Sequence, residues 1–188
     1  MAILKVAHLG NPVLRKVAAQ VDPRQIGTPD MQRFVDDMVD SMREYDGIGL
    51  AAPQVHVSKQ IVVIEGDLLR DEPRTPEVAR QLLVLFNPVV RFKTERRILM
   101  WEGCLSVPGL RGRTARVREL EVEALDRSGQ PLRFEAQGYF AGVVQHELDH
   151  LAGKVFLDRM QDLSTLTYLK EFRHFWAKDS DVEDEPVT

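Results

Sequence analysis

Apolar residues recur at helical spacing in the stretch that follows Thr28 and Pro29: Met31, Phe34, Val35, Met38, Val39 and Met42. Threonine followed by proline is a common helix start, because the hydroxyl accepts a backbone N–H and proline needs no partner in the first turn. The pattern therefore predicts a helix from Pro29 to about Tyr45, ending at Gly47. Asn11-Pro12 is a similar start and predicts a shorter helix to about Ala18.

Runs of β-branched and other apolar residues predict strands in the middle of the chain, at 61–64, 82–86 and 89–97. Asp126-Arg127-Ser128-Gly129 is a turn signal, and the apolar segments 117–125 and 132–136 flank it. Together they predict a β-hairpin. The charged, proline-containing stretch 67–76 is typical of a surface loop.

The last third of the chain favours helices. A long apolar run from Gly138 predicts a buried helix that ends near Gly153, a residue suited to the left-handed cap. An amphipathic helix is expected from Ser164 to about Ala177, and the acidic segment 179–188 is expected to be disordered. This order of elements indicates an α+β fold, in which antiparallel sheets pack around the buried helix. We expect one domain over residues 1–178.

Length and composition narrow the class of protein. A chain of 188 residues with 44% hydrophobic and 29% charged residues is typical of one globular domain. A net charge of −4 gives no electrostatic footprint for nucleic acid, and no apolar run is long enough for a membrane span. The first residues lack a signal-peptide pattern, so a cytoplasmic location is expected. Cys104 is the only cysteine, which excludes an internal disulfide.

Two histidines stand four residues apart in the predicted buried helix, in His146-Glu147-Leu148-Asp149-His150. Such residues share one helix face, so both imidazoles can bind one metal ion. Glu147, beside the first histidine, can then act as a base toward a water molecule on the metal. The motif also occurs by chance on solvated helices. Here the flanking residues are apolar, and buried histidines and acids need partners, which favours the metal site.

A catalytic site of this type needs a third protein ligand. Phe156 stands where a metzincin carries its third histidine, so that pattern fails. Glu171 lies on the predicted last helix, as the third ligand of a gluzincin would. Cys104 would complete a soft Cys-His-His site, although a lone cysteine is also often an inert core residue. The residues alone leave Glu171 and Cys104 open.

Three segments, taken together, resemble the motifs of the peptide deformylase family: 47–54, ending at Gln54, 102–106, around Cys104, and 145–150, around the two histidines. They match without substitution and stand in the family's order. Residues 9–15 also resemble the family's N-terminal signature, so the resemblance covers about residues 1–160. Each motif alone is modest, but three in order are highly specific.

Deformylases are hydrolases that remove the formyl group from the N-formylmethionine of new polypeptides and release formate. The resemblance implies one divalent metal ion bound by three residues, Cys104, His146 and His150. Fe(II) is the expected metal in the cell, and Zn(II), Ni(II) and Co(II) suit the same ligands. Water activated by the metal would attack the formyl carbon, and Glu147 would carry its proton to the leaving nitrogen. Gln54 and the backbone N–H of Leu105 would stabilise the oxyanion.

The resemblance also implies an apolar pocket for the methionine side chain, lined by Ile48, Met100, Tyr139, Gly142 and Val143. Gly142 replaces a bulkier residue of some relatives, so the pocket is either deeper there or filled by Tyr139. Gly49 lacks a Cβ and would let the substrate backbone approach closely. Arg111 is expected to bind the peptide backbone or a carboxylate farther along the substrate.

Residues around the metal ligands are expected to orient them. A ligating histidine usually donates its other N–H to a carboxylate or carbonyl, and Glu102 and Asp149 are the candidates. Glu102 is also expected to pair with an arginine such as Arg116, and so to hold the Cys104 loop.

The expected partners are N-formylmethionyl peptides and nascent chains. Some relatives dock on the ribosome through a basic C-terminal helix. Segment 163–178 is less basic and precedes an acidic tail, so ribosome contact stays open. Two other classes are a gluzincin-like endopeptidase that uses Glu171 and a non-enzymatic peptide-binding protein with a structural metal. Replacement of Cys104 by alanine should abolish only the deformylase, and Glu147 and Gln54 would be unnecessary in a purely structural site.

Overall fold

Two antiparallel sheets form the β part of the computed structural model, which describes residues 2–65, 81–177 and the main chain of 183–184. The five-stranded sheet contains, in spatial order, β1 (Gly49–Ala51), β2 (Ile61–Ile64), β3 (Leu83–Phe92), β6 (Glu119–Leu125) and β7 (Pro131–Gln137). The four-stranded sheet contains β8 (Thr167–Tyr168), β5 (Val107–Val117), β4 (Arg97–Cys104) and β9 (Glu183–Asp184).

Four α-helices accompany the sheets in the described part of the chain: α1 (Pro23–Ile26), α2 (Pro29–Glu44), α3 (Gly138–Leu151) and α4 (Leu169–Phe175). Short 3-10 helices cover Pro12–Arg15, Ala52–Val55, Phe156–Arg159 and Leu163–Thr165. The side chain of Thr28 accepts a hydrogen bond from the backbone N–H of Met31, as expected at the start of α2.

At β2 the five-stranded sheet is buried on both faces, because helices cover each side of it there. In β2, Val62 and Ile64 pack on the side of α3, whereas Ile61 and Val63 pack on the side of α2. All four side chains are fully buried, and burial of such a side chain contributes about 1.5–3 kcal/mol. The fold is therefore α+β with α3 buried at its centre, which confirms the predicted fold class.

Three predicted elements differ from the structure. The first is the helix over 11–18, which is only a 3-10 turn because the backbone N–H of Ala18 bonds to the carbonyl of Leu151. The second is the strand pair 82–86 and 89–97. Asn87 adopts a positive φ of 51°, so β3 continues past it as a bulged strand to Phe92.

The third is the last helix, which is much shorter than the predicted 164–177. Residues Thr167–Tyr168 form β8 and pair with Leu110 and Arg111 of β5 before α4 begins. The strand β5, the longest of the second sheet, was also not predicted.

The acidic tail 179–188 lies largely outside the described residues, as does the predicted loop 67–76. Glu183–Asp184 is an exception, because this segment pairs with Ile98 and Leu99 of β4. The expectation that the tail is disordered stays a prediction. Among the described helices, none has the length and apolar character needed to cross a bilayer.

The segment before the first 3-10 helix crosses two loops that approach each other in space. The backbone N–H of Ala7 donates to the carbonyl of Gln54, and that of Leu9 donates to the carbonyl of Ser106, each at 2.7 Å. This N-terminal strap, residues 6–9, thus joins the 3-10 turn after β1 to the turn between β4 and β5.

Candidate active site and metal centre

The two histidines of the HExxH motif lie on the face of α3 that is turned toward β4 and β5. The helix follows β7 without an intervening loop, starting at Gly138 with φ 57°, and Gly153 with φ 72° follows its end. The rings of His146 and His150 are 5.1 Å apart, as expected for residues one turn apart.

Cys104 brings a thiol to this pair from the end of β4. Its Sγ lies 3.2 Å from Nε2 of His150, and the backbone N–H of Ser106 approaches the sulfur at 3.4 Å. One ligand atom from each of Cys104, His146 and His150 lies within 4.8 Å of the others, and no other such trio occurs among the residues described. These atoms are close enough to share one ion.

The electrostatics of the trio fit a cation. Burial opposes the charged form of His146, but hydrogen bonds to Cys104 and Glu102 outweigh it and raise the pKa of His146 well above its usual value. Metal binding at His146 would therefore have to displace a proton. Burial lowers the pKa of His150 well below its usual value, which keeps this imidazole neutral, as a metal ligand must be. One sulfur and two nitrogens are donors that suit Zn(II) or Fe(II).

A buried ion-pair network orients His146 from behind. The Nδ1 atom of His146 lies 2.5 Å from the Glu102 carboxylate, which also accepts from Thr114 and, at 2.6 Å, from Nε of Arg116. Burial would raise the pKa of Glu102, but His146 and Arg116 hold it well below its usual range. Glu102 is therefore a charged acceptor that directs Nε2 of His146 toward the other ligands.

Asp149 has a different role from the one expected. Its carboxylate accepts from Nη1 of Arg116 at 2.6 Å and from Nε of Arg159 at 3.0 Å, and it contacts neither imidazole. The Nδ1 atom of His150 is buried without a hydrogen-bond partner in the described part of the chain. Asp149 therefore acts one step farther out, by holding the arginine that holds Glu102.

Glu147 is a buried carboxyl group beside the ligands. It is 4% exposed, and its Oε2 atom has no hydrogen-bond partner among the described residues. Burial raises its pKa to about 7. The side chain packs against Gly49 of β1 so closely that a Cβ added there would lie 2.7 Å from Cδ of Glu147. A carboxyl group with this pKa can accept and release a proton near neutral pH.

Gln54 presents its amide nitrogen to the same space. It lies in the 3-10 turn Ala52–Val55, where its Oε1 accepts from the backbone N–H of Ala51 at 2.8 Å. Because the oxygen is held there, Nε2 points the other way, to Ser106 Oγ at 3.2 Å and Cys104 Sγ at 3.5 Å. Leu105 lies in the adjacent turn at the cavity wall.

These groups open into a cavity of about 780 Å³. Its wall includes six of the residues expected to contact substrate or stand beside it: Ile48, Gly49, Met100, Arg111, Tyr139 and Val143. Gly142 is not among the residues that line it. A Cβ on Gly142 would lie 2.9 Å from Cε of Met100, so Met100, rather than Tyr139, fills the space that this glycine leaves.

The amino-acid sequence of this chain is similar to those of known proteins. The family model for polypeptide deformylase matches residues 3–165. The chain belongs to the polypeptide deformylase family. Peptide deformylase 1 of Bordetella pertussis is 41% identical over 167 residues, which are 89% of this chain and 91% of that protein.

Solved deformylase structures share the fold. The actinonin-bound crystal structure of class I type b peptide deformylase from Acinetobacter baumannii has a TM-score of 0.74 at 34% identity, covering 86% of this chain and 100% of that one. The Met-Ala-Ser-bound structure of that enzyme gives 0.73 at 32% identity, with 85% and 99% covered. Deformylases remove the N-formyl group from new polypeptides, and membership makes this chain an enzyme of that class.

Glu171, the alternative third ligand in a gluzincin-like site, is excluded by its position. Glu171 is exposed on α4 and stands outside the ligand trio, whereas Cys104 belongs to it. Several residues of the site carried no signal that distinguished them in the sequence: Thr114, Arg159, Trp101, Leu169 and Arg173. Ser106 did, because it closes the Glu-Gly-Cys-Leu-Ser motif.

Proposed function

We propose that this deformylase hydrolyses the formamide of N-formylmethionyl peptides and nascent chains at a single metal centre formed by Cys104, His146 and His150. The observation that carries the proposal is the convergence of these three ligand atoms within 4.8 Å beside Glu147, whose Oε2 has no hydrogen-bond partner among the described residues. A divalent ion bound there supplies a water of lowered pKa and polarises the substrate carbonyl. By family resemblance we expect Fe(II) in the cell, and Zn(II), Ni(II) and Co(II) suit the same donors.

Glu147 is the proton carrier in this proposal. Its carboxylate accepts the proton of the attacking water, and the resulting acid delivers that proton to the departing nitrogen. The amine then leaves as a neutral group. Gly49 keeps the carboxylate in place, because the absent Cβ leaves room for Glu147 against β1.

Gln54 and Leu105 are the proposed oxyanion donors. Attack on the formyl carbon places negative charge on its oxygen, and the Gln54 amide is already oriented by its bond to Ala51. The backbone N–H of Leu105 would donate from the neighbouring turn. Loss of one such donor typically costs about 2.7–4 kcal/mol of transition-state stabilisation.

The methionine side chain would occupy the apolar wall of the cavity, formed by Ile48, Met100, Tyr139 and Val143. Arg111 also lines the cavity, and we expect it to contact the residues that follow. The Met-Ala-Ser-bound structure of the Acinetobacter enzyme supports a peptide that begins with methionine as the ligand. The proposed location is the cytoplasm, where new chains would be met.

Formate release from formyl-Met-Ala-Ser tests the proposal. Protein purified without oxygen, with its metal content measured, should release formate, and a chelator should stop the reaction until Fe(II) or Ni(II) is restored. Glu147→Ala should keep the metal but lose at least about 10²-fold in kcat, the usual contribution of general acid–base catalysis. Protein that carries one metal ion per chain and releases no formate would refute the proposal.

A further inference from the structure

Helix α4 is held beside the mouth of the cavity. Its preceding strand β8 pairs with β5, with Thr167 opposite Arg111. The rings of Phe172 and Trp176 pack on Trp101, at centroid distances of 5.0 and 5.8 Å. Because Trp101 itself lines the cavity, these contacts fix the helix at the cavity edge.

One face of α4 forms part of the cavity wall. Leu169 and Arg173 both line the cavity, and residues four apart share a helix face. Lys170 is also exposed on this helix but does not line the cavity. The chain thus places one of two neighbouring cations at the substrate path and the other away from it.

A second arginine, Arg111, lines the same cavity as Arg173 and lies on β5 opposite Thr167, two residues before α4 begins. Arg111 is half-buried, and its Nη1 donates to the carbonyl of Leu110 at 2.9 Å. Burial lowers the pKa of Arg111, and the positive charge of Arg173 adds to that effect. Two like charges at one cavity edge favour an anion between them.

The balance of charged side chains on the cavity wall differs from that of the whole chain. Outside the reaction centre, the charged residues that line the cavity are Lys5, Asp46, Arg111 and Arg173, three cations and one anion. The whole chain has a net charge of −4. Outside the reaction centre, the cavity wall therefore carries more positive than negative side chains, which favours anionic groups of a ligand.

We propose that Arg173 is a specificity residue which, together with Arg111, binds the carboxylate of an acidic side chain in the residues that follow formylmethionine. The inference rests on the proposed deformylase function. Guanidinium groups bind carboxylates through paired N–H donors, and one carboxylate between two arginines also relieves their mutual repulsion. The helix is placed to contact those residues because Leu169 and Arg173 line the same cavity as the reaction centre.

The test compares amidated peptides, so that the side chain carries the only carboxylate. We would measure kcat/KM for formyl-Met-Ala-Asp-amide and formyl-Met-Ala-Asn-amide, and for the pair with Asp or Asn in the second position. In at least one pair the acidic peptide should be favoured by about threefold to fivefold, the size of one exposed ion pair. The preference should shrink when salt is raised from about 0.05 M to about 0.5 M, because salt screens exposed charges.

Charge variants on one helix locate the effect. Arg173→Gln should bring the Asp-to-Asn ratio close to one, and Arg173→Lys should keep part of it. Lys170→Gln removes the same charge from the same helix and should leave the ratio unchanged.

The possible failures are distinct. Equal hydrolysis of Asp and Asn peptides by the unaltered enzyme would overturn the inference, as would equal loss of selectivity in the Lys170 and Arg173 variants. Absence of formate from every peptide would instead refute the proposed function on which the inference rests.

Discussion

Replacement of Gly49 by alanine should disable the enzyme through Glu147. A Cβ at position 49 would lie 2.7 Å from Cδ and 2.9 Å from Cγ of Glu147, whereas carbon atoms normally pack at about 3.5–4.0 Å. Glu147 is buried on α3 and cannot turn into solvent. Gly49 is paired with Ile64 in β1, so its own main chain is also held. The carboxylate must therefore move by roughly 1 Å.

A displacement of this size has a large kinetic effect. Misplacing a reacting group by about 1 Å can cost about 10²-fold in rate. We expect kcat to fall by about that factor, equivalent to about 2.7 kcal/mol, whereas the metal content should be unchanged. Overpacking of this kind typically costs about 1–3 kcal/mol of folding stability, so the variant should still fold.

Formate release at matched metal content is the assay, and Gly27→Ala is the matched control. Gly27 has an ordinary φ of −78°, and a Cβ there would meet nothing within 4 Å. A double-mutant cycle shows whether the effect acts through the carboxylate, because Gly49→Ala should cost little once Glu147 is already alanine. A Gly49→Ala enzyme as fast as Gly27→Ala, or a full loss in the Glu147→Ala background, would refute the reasoning.

Two further predictions concern the metal and the pH dependence. Glu102→Gln removes the charge that orients His146 and should weaken metal binding by about 10–100-fold. Competition with a chromophoric chelator would measure the metal affinity. The control Glu121→Gln removes a carboxylate that is bound to Arg133 and should leave the metal affinity unchanged. Burial raises the pKa of Glu147 from the ordinary 4.5 to about 7, so the folded chain retains a proton that the unfolded chain releases. This contribution to the stability of the metal-free protein is complete below pH 4.5 and is lost as the pH rises toward 7 and beyond. We would measure the melting temperatures of metal-free Glu147→Gln and of the metal-free unaltered chain. The melting temperature of the variant relative to the unaltered chain should rise from pH 5 to pH 8. A constant difference across that range would contradict the assignment.

The parts of the fold that the sequence predicted are those encoded by local patterns. Helices α2 and α3, the strand Ile61–Ile64 and the hairpin of β6 and β7 each have a periodicity or a turn signal within a short stretch. The extent of β3 could not be predicted in this way, because the bulge follows from Asn87, whose side chain bonds to the backbone of Val21 far away in sequence. The strand β8 likewise forms only because β5 offers it an edge.

The same distinction between local and distant contacts applies to the candidate site. The three proposed ligands and Glu147 could be predicted because each lies in a short contiguous motif, and resemblance connected the motifs to one another. The support behind them is not contiguous: Arg116 links Glu102 of β4 to Asp149 of α3, and Arg159 reaches Asp149 from a separate turn. The side chain that fills the space beside Gly142 could not be predicted from the sequence either, because Met100 lies far away in sequence, on β4.

The N-terminal strap has a consequence for how the enzyme is made. Residues 7 and 9 leave the ribosome early, yet their partners, Gln54 and Ser106, belong to loops that are synthesised later. The strap therefore cannot fold as synthesis proceeds and must wait for both loops. Its two bonds come from the main chain, so side-chain replacements at these positions would preserve them, whereas proline would remove one. The distance between the amide of Gln54 and the thiol of Cys104 thus depends on a segment that is fixed only after the turn between β4 and β5 has formed.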